Sequence, residues 1–165
     1  MPGAAPITIE ELAQHLPPGR PLIGLDVGTK TIGIAVSDRR RQIASPRETI
    51  RRGKFAVDAA RLLAIAEADQ AAAVIVGLPI NMDGSEGPRA QSTRAFARNL
   101  ARLPNLPIAF WDERLSSAVV ERMLIEADRS RARRAEIVDK LAAAYILQGA
   151  LDRLARIDDQ STSGA

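Results

Sequence analysis

Three acids stand where the chain offers a carboxylate to something other than water. Asp26 closes the run Leu22-Ile23-Gly24-Leu25-Asp26, the end of an apolar strand, where burying a charge is costly without a partner or a metal. Glu113 follows Asp112 at the end of a second apolar run, Pro107-Ile108-Ala109-Phe110-Trp111. Asp139 lies in a helical run in which Ile137, Leu141, Ala144 and Leu147 define an apolar stripe. Its neighbours three and four residues on, Ala142 and Ala143, are small enough to let something approach the carboxylate. Each acid alone has a plainer reading: Asp26 as a turn or cap aspartate, Asp139 as an exposed helix acid. Taken together they are the oxygen donors that one or two Mg²⁺ or Mn²⁺ ions take. Two such ions roughly 4 Å apart activate a water and stabilise the leaving oxygen in phosphodiester hydrolysis, with no protein general base required. The lone histidine, His15, falls in the N-terminal segment and reads as a surface residue. There is no cysteine, which excludes disulfides, thiolate nucleophiles and thiolate zinc sites.

The elements that must position these acids follow from periodicity. Residues 1–20 read as an extension packing on the outside, with Thr8 and Glu11 as a capping box for a short helix ended by Pro17-Pro18. Leu22–Asp26 and Thr31–Ser37 form an antiparallel hairpin across a Gly28-containing turn. The segment Gln42–Ile50 supplies an edge strand, the place where Pro46 is tolerated. A helix over Lys54–Ala68 leads to the buried strand Ala73–Gly77. A helix over Arg89–Leu103, ended by Pro104, leads to the strand Pro107–Asp112. Ser116 or Ser117 caps a further helix through Ala127, and an Ala/Leu-rich helix runs from about Ala135 to Arg156. The order predicts an α/β fold with a mixed five-stranded sheet, three antiparallel strands then two parallel, and helices on both faces. One domain covers 21–157, and residues 158–165 read as a disordered tail. The loop Pro79–Pro88, with two glycines at the carboxyl end of a buried strand, reads as mobile and ligand-contacting.

Charge points to the partner. Lys and Arg number 23 against 20 Asp and Glu, giving a net charge of +3. Arg39, Arg40, Arg41, Arg47, Arg51, Arg52 and Lys54 face Glu48 alone, and Arg129, Arg131, Arg133 and Arg134 form a second cluster. Such clusters suit a nucleic-acid backbone, although a solvated arginine-rich face is the plainer reading of either one. Aromatics are 3% of residues, too few for base-stacking platforms, so backbone contacts are the expected mode. No apolar run is long enough for a membrane helix, and Glu10 and Glu11 interrupt any secretory signal. A cytoplasmic protein is expected.

Five separated motifs resemble a known family. They are Gly24-Leu25-Asp26-Val27-Gly28-Thr29-Lys30 through Gly33-Ile34-Ala35-Val36-Ser37-Asp38; Val76-Gly77-Leu78-Pro79; Asn81-Met82-Asp83-Gly84; Asp112-Glu113-Arg114-Leu115-Ser116; and Asp139 with Ala142-Ala143. In this order, over roughly Leu22 to Leu151, the chain resembles the YqgF family, also described as Holliday-junction-resolvase-like proteins. The resemblance implies an RNase H-like fold and a metal-dependent endonuclease that processes the 5′ end of pre-16S ribosomal RNA. It implies Asp26, Glu113 and Asp139 as catalytic metal ligands, with Asp112 the rival to Glu113 because neighbouring strand residues face opposite sides. Lys30, Asn81, Arg114, Arg129 and Arg131 are the expected nucleic-acid contacts. The chain departs from the family at Thr31, where arginine usually follows the lysine. True junction resolvases also carry an acid on the strand occupied here by Val74–Gly77.

Three other readings compete. A sugar-kinase or actin-like ATPase shares a loop like Asp26–Thr31 but needs two copies of the fold, and this chain has length for one. A Holliday junction resolvase acting on branched DNA would require two active sites and hence a homodimer, whereas an RNA-trimming enzyme acts as a monomer. A non-catalytic RNA-binding assembly factor would keep the acids only as structural caps.

Overall fold

The two apolar runs around Gly28-Thr29-Lys30 do pair as the predicted hairpin. They form β1 (Leu22–Val27) and β2 (Thr31–Ser37), and the Gly28 amide donates to the Thr31 carbonyl at 2.9 Å. The computed structural model describes residues 5–103, 106–115 and 131–163, with side chains other than those of 131–138 and 162–163. The predicted helix from Ser116 or Ser117 to Ala127 lies outside the described residues. Before the hairpin comes α1 (Ile9–Ala13). After it come β3 (Ala44–Arg51), α2 (Phe55–Asp69), β4 (Ala73–Leu78), α3 (Pro88–Ala101), β5 (Ile108–Asp112), a 3₁₀ turn (Glu113–Leu115) and α4 (Arg131–Ser163).

The strands form one sheet in the order β3-β2-β1-β4-β5, antiparallel among the first three and parallel from β1 through β4 to β5. β3 is an edge strand. Pro46 opposes Ala35 where the register shifts between Ile34 and Ala35, an irregularity that accommodates a residue unable to donate to the ladder. Alternation along the central strands divides the core in two. Leu22, Ala35, Ile75, Ala109 and Trp111 point to α4 and α1. Ile23, Leu25, Ile34, Val74 and Val76 point to the side that holds Leu62, Ile65, Phe96 and Leu100 of α2 and α3.

α4 approaches the sheet closely because glycines line its path. A Cβ on Gly24 would come within 2.7 Å of the Leu147 Cβ, and one on Gly149 within 2.9 Å of the Trp111 ring. An isolated glycine inside a helix costs about 1 kcal/mol relative to alanine. Here that cost admits an indole against the helix backbone. α4 begins four residues before the expected start. It also continues to Ser163, where the sequence reading places a disordered tail from residue 158. No Gly or Pro interrupts 150–163, Ile157 packs on the core, and Ser161 Oγ donates to the Asp158 carbonyl.

The N-terminal segment is likewise more integrated than an external extension. The Glu11 amide donates to Thr8 Oγ1 at 3.1 Å, as the capping box predicts. Ile7 bridges Ala109 alongside β5, and Ile9 and Leu12 are buried in the α4-side core. Leu12 is fully enclosed, so Leu12→Ala is expected to destabilise by roughly 2–5 kcal/mol, or about 2–4 °C in Tm per kcal/mol. An unchanged Tm in thermal unfolding would place this segment outside the cooperative fold.

Candidate active site

Strand parity decides which acids share a face. In β1, Leu22 and Gly24 contact the α4 side, so Asp26 points there too, and it is 3% exposed. In β5, Ala109 and Trp111 face α4 while Ile108 and Phe110 face the other core, so Asp112 points away from Asp26. Glu113, in the 3₁₀ turn, returns to the α4 face and is also 3% exposed. Its Cγ lies 3.3 Å from where a Gly77 Cβ would sit, and Ile146 of α4 closes the same gap.

Register brings these residues into one row. Asp26 pairs with Gly33, and Gly77 pairs with Trp111; β1 and β4 are aligned through Leu25–Val76, the step just before Asp26 and Gly77. The missing side chain of Gly33 is filled by the α4 backbone, with the Asp139 carbonyl directly against it. Asp139, half-buried, accepts a hydrogen bond from Thr31 Oγ1. Asp26 faces Arg89 in the first turn of α3, with Nη2 3.7 Å from Oδ1. The three acids thus lie along one end of the α4 face. Among the described residues no three acids are gathered closely enough to hold a metal in this conformation. In this conformation Asp139 is engaged by Thr31 and Asp26 by Arg89.

Asp112 has a different occupation. Arg114 Nε bonds both carboxylate oxygens at 3.1 Å, Nη2 bonds Oδ2 at 2.7 Å, and the Arg114 amide donates to Oδ1 at 3.0 Å. The Arg114 side-chain bonds, foremost, hold the Asp112 carboxyl below the usual carboxylate range. A depressed native pKa contributes stability above the unfolded value near 3.9, which disappears as pH falls through the lowered native value. Arg114→Ala is therefore expected to be less stable than wild type at neutral pH and to converge with it in acid. A gap that persists in acid melts would show that the pair does not titrate in this way.

The expected nucleic-acid contacts are partly brought together. Lys30, Asn81 and Arg114 are all exposed, and Arg114 Nη1 lies 3.5 Å from the Asn81 carbonyl, against which it aligns as a donor. The loop carrying Asn81, expected to be mobile, is braced by its own bonds. The Asn81 amide donates to the Ser85 carbonyl, the Gly84 amide to the Asn81 carbonyl, and Ser85 to Asp83. Gly84 adopts φ +90, a left-handed conformation that favours glycine. Arg129 lies outside the described residues, as does the side chain of Arg131. The basic run Arg39–Lys54 is not one patch. β3 carries it across the sheet, about 26 Å for eight extended residues, so Arg39–Arg41 lie at the opposite end from Asp26. Arg51, Arg52 and Lys54 lie beside the hairpin tip, where the Arg52 amide donates to the Lys30 carbonyl and Arg52 Nη1 to the Gly28 carbonyl at 2.7 Å.

Two residues were missed by sequence reasoning. Arg89 carried a signal: it follows Pro88 in a first helical turn that holds no acid, where a cation opposes the helix dipole. Thr31 was noted only as a departure, and its hydroxyl holds Asp139.

Known proteins share this architecture. Solved structures similar to it include Thermus thermophilus RuvC in complex with a Holliday junction substrate, at TM-score 0.51 and 15% identity over 82% of this chain and 96% of that one. The yeast mitochondrial Holliday junction resolvase matches at TM-score 0.50 and 10% identity over 92% and 86%. Likeness at this level of identity shows the RNase H-like fold alone. Sequence relatives are much nearer. The Ruegeria pomeroyi protein named "Putative pre-16S rRNA nuclease" is 64% identical over 89% of this chain and 96% of its own length. The Nitrobacter winogradskyi protein of the same name is 63% identical over 98% of each. Residues 20–153, which hold β1 and the site acids, match the sequence profile described as RuvX, Holliday junction resolvase. By that match and these relatives, the chain belongs to the RuvX family.

Proposed function

We propose that this protein is a metal-dependent endonuclease that hydrolyses phosphodiester bonds at the 5′ end of the 16S ribosomal RNA precursor. The observation that carries the reading is the row of acids on the α4 face: Asp26 and Glu113, each 3% exposed, with Asp139 of α4 set against Gly33, the residue paired with Asp26. Burial of two carboxylates on one face is costly unless cations meet them. The donor set is all oxygen, which fits Mg²⁺ or Mn²⁺ rather than a softer metal. Asp26, Glu113 and Asp139 would hold the metal, which supplies an activated water and charge stabilisation at the scissile phosphate. Lys30, Asn81 and Arg114, with Arg129 and Arg131, would bind the RNA backbone and fix its register on the site. The names of the near relatives support the RNA precursor as substrate, and with that substrate the place of action is the cytoplasm. Among the described residues no helix is long and apolar enough to cross a membrane.

A second reading is favoured by the RuvX description and by the resolvase neighbours: cleavage of four-way DNA junctions by a homodimer. β4, which is Ala73-Val74-Ile75-Val76-Gly77-Leu78, carries no acid of its own. The test is cleavage of a 16S precursor RNA and a four-way DNA junction side by side in Mg²⁺ or Mn²⁺. Cleavage of the RNA alone is expected. Cleavage of the junction alone would replace the substrate, and binding without cleavage of either would make the protein an assembly factor.

A further inference from the structure

We infer that Arg89 is a positioning residue that competes with the divalent cation for Asp26; the inference rests on the reading of Asp26 as a metal ligand. Asp26 is 3% exposed, and the Arg89 guanidinium reaches it from a different element, with Nη2 3.7 Å from Oδ1. The Arg89 side chain is 45% exposed, so it approaches from the solvent side, the direction from which a cation or a phosphate arrives.

Its place in the helix argues that this contact is not incidental. Arg89 sits directly after Pro88, in an α3 first turn with no acidic residue and with Gly87 as an N-cap that makes no side-chain bond. A positive side chain there is disfavoured by the helix dipole, and no acid within the helix offsets it. Asp26, far away in sequence, supplies the opposing charge. Two positive groups cannot share one carboxylate without mutual repulsion, so a divalent cation at Asp26 displaces the guanidinium. The freed guanidinium remains within a side chain's reach of the metal, where its planar fork matches a phosphate of the substrate backbone. Arg89 thereby couples metal entry to substrate binding: it weakens metal binding before the nucleic acid arrives and strengthens substrate binding afterwards.

The experiment is direct Mn²⁺ binding, by calorimetry or by loss of the free-ion paramagnetic resonance signal. It compares wild type, Arg89→Ala, Arg89→Lys and Asp26→Asn in the absence of nucleic acid. Arg89→Ala is expected to bind Mn²⁺ about two- to fivefold more tightly than wild type, the range for a partly exposed ion pair. Arg89→Lys, which keeps the charge, should stay near wild type, and Asp26→Asn should bind far more weakly. For cleavage, Arg89→Ala should raise the KM for nucleic acid while shifting the Mn²⁺ half-saturation downward, a pattern a merely structural role would not produce. Mn²⁺ affinity in Arg89→Ala equal to or weaker than wild type, with Asp26→Asn impaired, would overturn the inference and leave the ligand reading standing. Equal Mn²⁺ binding by wild type and Asp26→Asn, or none by either, would overturn the ligand reading and the inference with it.

Discussion

Glu113→Gln is expected to lower phosphodiester cleavage by about 10²–10³-fold, the loss typical of removing one preorganised electrostatic stabiliser of the transition state. Asp112→Asn, its immediate neighbour, is expected to leave the rate near that of wild type. The two side chains are similar in chemistry and adjacent in sequence, so only their surroundings separate them. Glu113 is buried on the α4 face beside Gly77, the face that also carries Asp26. Asp112 points to the opposite side and is clasped by Arg114 through the guanidinium and the amide. Single-turnover cleavage by both variants checks this, with folding verified by thermal unfolding. The reverse ranking, with Asp112→Asn inactive and Glu113→Gln active, would move the metal to the other side of β5.

The second large effect concerns Gly33, where sheet and helix backbones meet. Any Cβ at Gly33 falls on the main-chain carbonyl of Asp139, and neither backbone can rotate away as a side chain can. Gly33→Ala is therefore expected at the upper end of overpacking costs, about 3 kcal/mol, which for a chain of this size lowers Tm by roughly 6–12 °C. The same displacement pushes Asp139 away from Asp26, its neighbour across the Asp26–Gly33 pair, so metal affinity should fall as well. Gly24→Ala provides a contrast, because its Cβ would meet Leu147 and the Ala143 carbonyl, away from the acids. It should lower Tm but spare metal affinity more. Gly53→Ala, where a Cβ meets nothing, is the neutral control. A Gly33→Ala protein as stable as wild type would mean that α4 does not press on β2 at this point.

Much of this was legible in the chain because period-2 runs and turn residues leave few alternatives. The hairpin about Gly28, the edge position of the Pro46 strand and the buried runs Ala73–Gly77 and Pro107–Asp112 all appear as read. The choice between Asp112 and Glu113 was open, since adjacent residues can be assigned to faces only once the packing partner of each face is known. Arg89 was invisible as a partner of Asp26 because 63 positions, including two further strands and the α2 crossover to β4, separate them, although its place in an acid-free first turn was a signal. The basic run Arg39–Lys54 looked like one cluster because linear spacing does not reveal that a strand carries its two halves to opposite ends of the sheet. The helix α4 runs past its expected end: polar composition at 158–163 reads as disorder, while nothing in that stretch breaks a helix. The acids were singled out by type and position. Their present engagement by Thr31 and Arg89 depends on side-chain geometry that spacing does not encode.

The most direct measurement is Mg²⁺-dependent cleavage of the 5′ end of a 16S precursor RNA by wild type and Asp26→Asn, with RNA binding followed in parallel. Wild type should cut in Mg²⁺ and stop when the metal is chelated. Asp26→Asn should lose about 10²-fold or more of the cleavage rate while still binding the RNA. An Asp26→Asn protein that cleaves as fast as wild type would contradict the assignment of the α4-face acids as the catalytic centre.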